Sequence, residues 1–179
     1  HGCSYGLEQR MKVLVTGGSG FVGQHTVRRL LKEEHSGTVV DYQADDSDKA
    51  KQIKINFVQI GAEDPKCERL FADTLFDIVI HLACKTSSSA SADFDKQNMH
   101  LNHASLNNIL YLSLKYHVRK VIVLSSYAVY GKQDKLPIAE DARLNPFDLP
   151  GYHDLSRENQ CQEYRQLGLN VVVLRTSYI

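Results

Sequence analysis

The sequence predicts an α/β fold, a doubly wound parallel sheet with helices on both faces, and three observations carry that prediction. Short apolar strands alternate with helical segments along the chain. The strands are continuous apolar runs rather than alternating ones, as expected where a parallel sheet is buried on both sides. The first strand enters a glycine-rich turn and then a helix, through Met11-Lys-Val-Leu-Val-Thr-Gly-Gly-Ser-Gly-Phe-Val-Gly23.

In that first unit Val13, Leu14 and Val15 form the strand, and Gly17, Gly20 and Gly23 follow at intervals of three. Gly17 and Gly20 reach backbone angles closed to other residues and let the main chain approach a phosphate; Gly23 leaves room where helix meets strand. The helix then offers free N–H groups and the positive end of its dipole to an anion. Val27, Leu30 and Leu31 lie on one helix face, and a turn is expected at Ser36-Gly37. The second strand, Thr38-Val39-Val40, ends in Asp41, 18 residues beyond Gly23. A Rossmann-like unit needs an acceptor for the adenosine ribose hydroxyls at about that place.

The polar stretch Gln43 to Gln52 reads as a solvated loop or a short exposed helix. Ile53 to Ile60 suits a third strand, Pro65 to Phe71 a helix, and Asp77-Ile-Val-Ile-His-Leu-Ala83 a fourth strand. A polar loop, Thr86 to Ser91, leads to a long helix from about Asp93 to His117 with Leu106, Ile109, Leu110 and Leu114 at helical spacing. The fifth strand, Lys120 to Ser126, ends in hydroxyls. Gly131 to Gly151 is expected to be a long site loop, His153 to Leu167 a helix, and Asn170 to Arg175 a sixth strand.

Length and composition bound the rest. At 179 residues the chain supports one sizeable core. Lys plus Arg number 21 and Asp plus Glu 21, so no basic field favours nucleic acid or an anionic membrane. No apolar run approaches the roughly 20 residues of a bilayer span, and no leader is evident, so a cytoplasmic protein is expected. Cys3, Cys67, Cys84 and Cys161 lack C-x-x-C spacing and are expected to be free thiols. His100 and His103 share a possible helix face, but without an H-E-x-x-H pattern no metal is expected. Residues 1–10 carry no periodicity and read as a flexible extension before a domain spanning 11–179.

Several segments then agree with one family in order and spacing. The G-x-x-G-x-x-G turn preceded by Thr16, Asp41, His81-Leu-Ala-Cys84, Asn102 ahead of Asn108-Ile-Leu110, Ser125-Ser-Tyr-Ala-Val-Tyr-Gly131, Leu136-Pro-Ile-Ala-Glu-Asp141 and Leu174-Arg-Thr-Ser-Tyr178 resemble the extended short-chain dehydrogenases/reductases of the NAD-dependent epimerase/dehydratase kind. The resemblance implies NAD as cofactor and a nucleotide sugar or other small molecule as substrate. By it, Gly17, Gly20, Phe21 and Val22 hold the pyrophosphate, Asp41 the adenosine ribose, and Leu82, Ala83 and Cys84 the cofactor's middle. It also implies that Asn102 supports the site, that Ser126 bonds the reacting hydroxyl, and that a homodimer forms through the two long helices. His81 reads instead as a satisfied core histidine, and Cys84 has no basic neighbour in sequence that would make it a nucleophile.

The resemblance breaks at the catalytic pair. Family members carry Tyr-x-x-x-Lys, in which the lysine helps lower the tyrosine pKa; here the segment is Gly151-Tyr-His-Asp-Leu-Ser-Arg157. If Arg157 stands for the lysine, His153 falls at the tyrosine position and Tyr152 one residue early. Either Tyr152 sits just before the helix and serves, or His153 is the acid/base; Arg157 keeps the charge and can bond ribose hydroxyls. In the family a smaller substrate lobe follows; it is expected to be absent from this sequence, which is read either as part of a longer protein or as a minimal form. Cofactor binding with poor or no sugar-nucleotide turnover is therefore expected, with a non-catalytic NAD-binding or regulatory protein, or a steroid or flavonoid-type reductase, as the other readings.

Overall fold

A computed structural model describes residues 10–43, 55–85 and 92–177. Residues 1–9 of the expected N-terminal extension, most of the 43–52 stretch and the 86–91 loop lie outside these residues. Six parallel strands run in the order β3-β2-β1-β4-β5-β6: β1 (Lys12–Thr16), β2 (Ser36–Asp41), β3 (Asn56–Gln59), β4 (Ile78–His81), β5 (Lys120–Ser126) and β6 (Val171–Thr176). The helices are α1 (Phe21–Lys32), α2 (Cys67–Asp73), α3 (Ala92–Lys115) and α4 (Leu149–Gln166), with a short 3₁₀ helix over Tyr127–Tyr130. The strand order reverses between β1 and β4, and a crevice forms at the carboxyl ends of strands at such a point.

Apolar side chains leave the sheet on both faces, which is why its strands read as unbroken hydrophobic runs. Val13, Val15 and Val39 pack with Val27 of α1 on one side. Leu14, Val79 and Val121 pack on the other with Phe71 of α2, Leu106 and Leu110 of α3 and Cys161 of α4. Burying a side chain of this size is worth about 1.5–3 kcal/mol. No helix among the described residues is long and apolar enough to cross a membrane.

Several expected boundaries move by a residue or more, and two of the shifts have a clear local cause. The turn expected at Ser36-Gly37 lies earlier: Glu34 takes φ +60°, while Ser36 and Gly37 pair with Lys12 and Val13 inside β2. Gly37 is an in-strand glycine because a Cβ there would stand 3.1 Å from the Ile55 side chain. The helix expected from His153 starts at Leu149, because the Asp148 side chain caps it by accepting the Gly151 N–H at 2.9 Å and Pro150 suits a first turn. Tyr152 is thus inside α4, not before it.

Candidate functional site at the switch point

The turn after β1 is shaped by what a side chain would strike. Gly17 has φ +73°, and a Cβ there would lie 2.6 Å from the Ala83 nitrogen; at Gly23 it would meet the Gly17 carbonyl oxygen at 2.1 Å. Gly20 differs, since a Cβ would find only the Gly17 oxygen, at 3.3 Å. It begins α1 with no side-chain cap and no carboxylate in the first turn, which leaves the N–H groups of Phe21 and Val22 for an external anion. Asp41 closes the other side: its carboxylate accepts the Ser19 N–H at 2.9 Å and the Gln43 N–H at 3.3 Å.

A cleft of about 240 Å³ opens here, lined by Gly17, Gly20, Asp41 and the β4 end Leu82, Ala83 and Cys84. Asn102 of α3 supports its wall, accepting the Lys85 N–H at 2.8 Å and donating to the Lys85 carbonyl at 3.0 Å. The open Gly20 surface, the uncapped helix and the pre-oriented carboxylate fit a dinucleotide. Side chains of Phe21 and Val22 do not line the cleft; Phe21 stacks edgewise on His25. Sequence reasoning missed Tyr42, Glu63, Lys85 and Ser105, all in the lining. Lys85 is the only cation lining it among the described residues, and its ammonium lies 4.5 Å from the Tyr42 ring centre. Tyr42 and Lys85 follow the ends of β2 and β4, so the carboxyl-edge rule marks both.

Beyond Cys84 the character changes to buried side chains. His153 and Arg157, one helical turn apart on α4, are 7 % and 4 % exposed, whereas Tyr152 is 58 % exposed. Arg157 donates to Asp154 at 3.2 Å and to the Leu124 carbonyl at 3.5 Å, and its Nη1 lies 3.9 Å from the Cys84 sulfur. A basic group therefore does reach Cys84, contrary to the reading along the chain; although the residue keeps an exposed surface, desolvation by the surrounding protein outweighs that group and pushes the thiol pKa up. Cys84 belongs to both regions.

His81 is fully buried and hydrogen-bonded through Nδ1 to Thr16 Oγ1 at 2.8 Å, but the expected satisfied core histidine is only half satisfied. Its Nε2 is partnerless among the described residues, as are His153 Nε2 and Arg157 Nε. Leaving a buried polar group unpaired costs about 1–3 kcal/mol, and such groups mark places where a ligand or water completes the bonding. Burial first and then Arg157 push His81 down to about 3. Burial, Arg157 and His103 push His153 down to about 4, against a small opposing effect of the Met99 carbonyl. Both rings are neutral at pH 7. Ser126 ends β5, and its hydroxyl oxygen accepts the Ala128 N–H at 3.1 Å as the cap of the 3₁₀ helix.

Fold and cleft together define a doubly wound domain of the dinucleotide-binding class. More narrowly, the chain belongs to the NAD dependent epimerase/dehydratase family, whose model matches residues 13–179. It is 31 % identical over 178 residues to UDP-glucose 4-epimerase 3 of Oryza sativa subsp. japonica, covering 91 % of this chain and 48 % of that protein. Among solved structures it is similar to a UDP-glucose 4-epimerase of Thermotoga maritima with UDP-glucose, at TM-score 0.80 and 31 % identity over 92 % of this chain and 55 % of that one. A UDP-glucose-4-epimerase from Stenotrophomonas maltophila, with bound NAD and formylated UDP-arabinopyranose, gives TM-score 0.82 and 27 % identity over 93 % of this chain and 52 % of that one. The chain spans about half the length of the relatives it matches.

Proposed function

We propose that residues 11–179 are the NAD-binding domain of an oxidoreductase of the epimerase/dehydratase kind, acting on a nucleotide sugar by transient oxidation of a substrate hydroxyl. The observation that carries this reading is the contact of Arg157 with Cys84 at the edge of the open cleft, with His153 one turn before Arg157 on α4. Bound NAD supplies a hydride acceptor. The main chain from Gly17 to Val22 holds the pyrophosphate, Asp41 the adenosine ribose, and Leu82, Ala83 and Cys84 the middle, with Asn102 fixing the adjacent Lys85 backbone.

His153 takes the role that tyrosine has elsewhere in the family. Its neutral ring accepts the substrate hydroxyl proton, and Ser126 orients that hydroxyl with the free O–H its cap leaves. Arg157 keeps the positive charge and bonds ribose hydroxyls. Tyr152 takes no part, because α4 leaves its side chain largely in solvent. One observation favours a second reading, cofactor binding without turnover: the Arg157 guanidinium is already tied to Asp154 and the Leu124 carbonyl.

Calorimetric titration with NAD and NADP, followed by assays with UDP-glucose and UDP-galactose on the parent chain and His153→Phe, tests the proposal. NAD binding with turnover that the substitution removes supports the first reading, and binding with no turnover in either protein supports the second. Absence of NAD binding overturns both.

A further inference from the structure

His153 shares its buried niche with a second imidazole that the catalytic reading does not use. His103 of α3 packs against it with ring centres 5.1 Å apart and planes at 85°. Gln160, two turns beyond His153 on α4, clasps His103 twice: its Oε1 lies 2.8 Å from His103 Nδ1, and its Nε2 donates to the His103 carbonyl at 3.5 Å. The second bond decides which end of the amide faces the ring, so Oε1 accepts and Nδ1 carries the proton. The ring of His103 is therefore fixed in place and in tautomer.

The groups facing His153 come from two helices. On α4 they are Arg157 and Asp154, whose Oδ1 is 3.9 Å from His153 Nδ1; on α3 they are His103 and the Met99 carbonyl. Asp154 is nearer to Arg157, at 3.2 Å, and its charge is taken up there. A cation on His153 would thus sit between a guanidinium and a second imidazole with little to offset it. The surroundings favour the neutral ring, in line with the downward shift to about 4.

We infer that His103, held by Gln160, is a positioning residue that locks the His153 ring and disfavours its protonated form, with Nε2 left without a partner among the described residues. This rests on the reading of His153 as the acid/base group. A tyrosine at this position would need a nearby cation to become a base; a neutral imidazole is already one, and a neighbour that disfavours its cation keeps the ring in the accepting form while making it a weaker base. His103 is such a neighbour and is not among the residues lining the cleft.

The test is an NMR titration of the His153 ring in the 179-residue chain, in the parent, His103→Phe and Gln160→Leu. Phenylalanine preserves the edge-to-face packing and removes the charge and the amide clasp, while leucine at 160 removes the clasp alone. The His153 titration should move upward in His103→Phe while staying well below 6.5, since burial and Arg157 remain, and by less in Gln160→Leu. Where turnover is measurable, the acidic limb of its pH profile should move by the same amount with NAD affinity unchanged. Identical His153 titration in parent and both variants, with thermal unfolding unaltered, overturns the inference. The shift without turnover in any variant upholds the pairing of the two imidazoles and counts against the catalytic reading. Should His103→Phe fail to fold, the Gln160→Leu shift alone decides.

Discussion

The two halves of the site are built from different materials. The cradle around Gly17 to Val22 works through main chain, with a carboxylate oriented by the Ser19 N–H. The region around His153 and Arg157 works through buried side chains that contact one another, and with His81 it holds three nitrogens without partners among the described residues. A backbone cradle persists as long as the turn can form, so side chains around it are free to drift. A side-chain site has no such protection: on the proposed reading, histidine and arginine stand where the family carries tyrosine and lysine, which changes the donor set and the charge distribution at once. Binding and chemistry should therefore be separable in this chain.

The largest effect is expected inside the cradle, between two neighbouring glycines. Gly23→Ala places a methyl 2.1 Å from the Gly17 carbonyl oxygen, with backbone atoms of Gly18 close behind, and should cost more than about 2 kcal/mol of stability along with all NAD binding. Gly20→Ala, whose methyl meets only an oxygen at 3.3 Å, should fold nearly as well as the parent yet bind NAD weakly. Denaturant midpoints and NAD titrations of the two variants check this; equal loss of stability in both would mean that Gly20 is a packing residue.

On the side-chain half, His153→Phe should lower sugar-nucleotide turnover by roughly 10²- to 10⁴-fold, the range for loss of a positioned acid/base. NAD affinity should stay nearly unchanged. Tyr152→Phe should change neither, because its ring is largely in solvent. Steady-state kinetics beside calorimetry separates these outcomes, and a large loss in Tyr152→Phe would return the role to the tyrosine.

This contrast also explains what was legible in the sequence. Parallel strands and the glycine turn leave local patterns, and the order of elements follows from them; strand β5 is where its apolar run lies, Lys120 to Ser126. Asp41 was legible because strand ends fall at fixed places in such a fold. The placement of Tyr152 inside α4 was not, because it depends on where the helix begins, and Asp148 moves that start to Leu149. Nor was the proximity of Arg157 to Cys84, 73 residues apart in sequence, or of His103 to His153. Those contacts arise only when α3 and α4 pack on the same face of the sheet.

The buried imidazoles predict a smaller but measurable acid sensitivity. His81 and His153 titrate near 3 and 4 when folded, from an ordinary value of 6.5. The unfolded chain therefore binds more protons below about pH 6.5, and their stabilising effect, complete above that pH, is lost progressively down to the folded values. A tenfold difference in proton affinity between the folded and unfolded chain corresponds to about 1.4 kcal/mol. Asp154, whose carboxyl is raised by burial, acts in the opposite sense and blunts the loss at the acid end. Urea midpoints should fall between about pH 7 and pH 5, and fall less in His153→Phe; a flat profile would mean that the rings are hydrated.

The smallest effect concerns which cofactor the cradle prefers. Asp41 stands at the end of β2 with both carboxylate oxygens bonded to the main chain, at Ser19 and Gln43, so it faces the cleft already oriented and negatively charged. Ribose hydroxyls can donate to it, whereas a 2′-phosphate would meet an anion; Lys85, the only cation lining the cleft among the described residues, has its ammonium 4.5 Å from the ring centre of Tyr42, next to Asp41 in the chain. Hydrogen bonds to a charged group are worth about 1.5–3 kcal/mol, or about 10- to 100-fold in affinity. Asp41→Asn keeps the shape and removes the charge, and should weaken NAD binding within that range while narrowing the gap to NADP. It should leave the His153 titration untouched, since Asp41 is not among the groups that shift that ring. Equal NAD and NADP affinities in the parent chain would remove Asp41 from the ribose. A shift of the His153 titration in Asp41→Asn would show instead that the two halves are electrostatically joined.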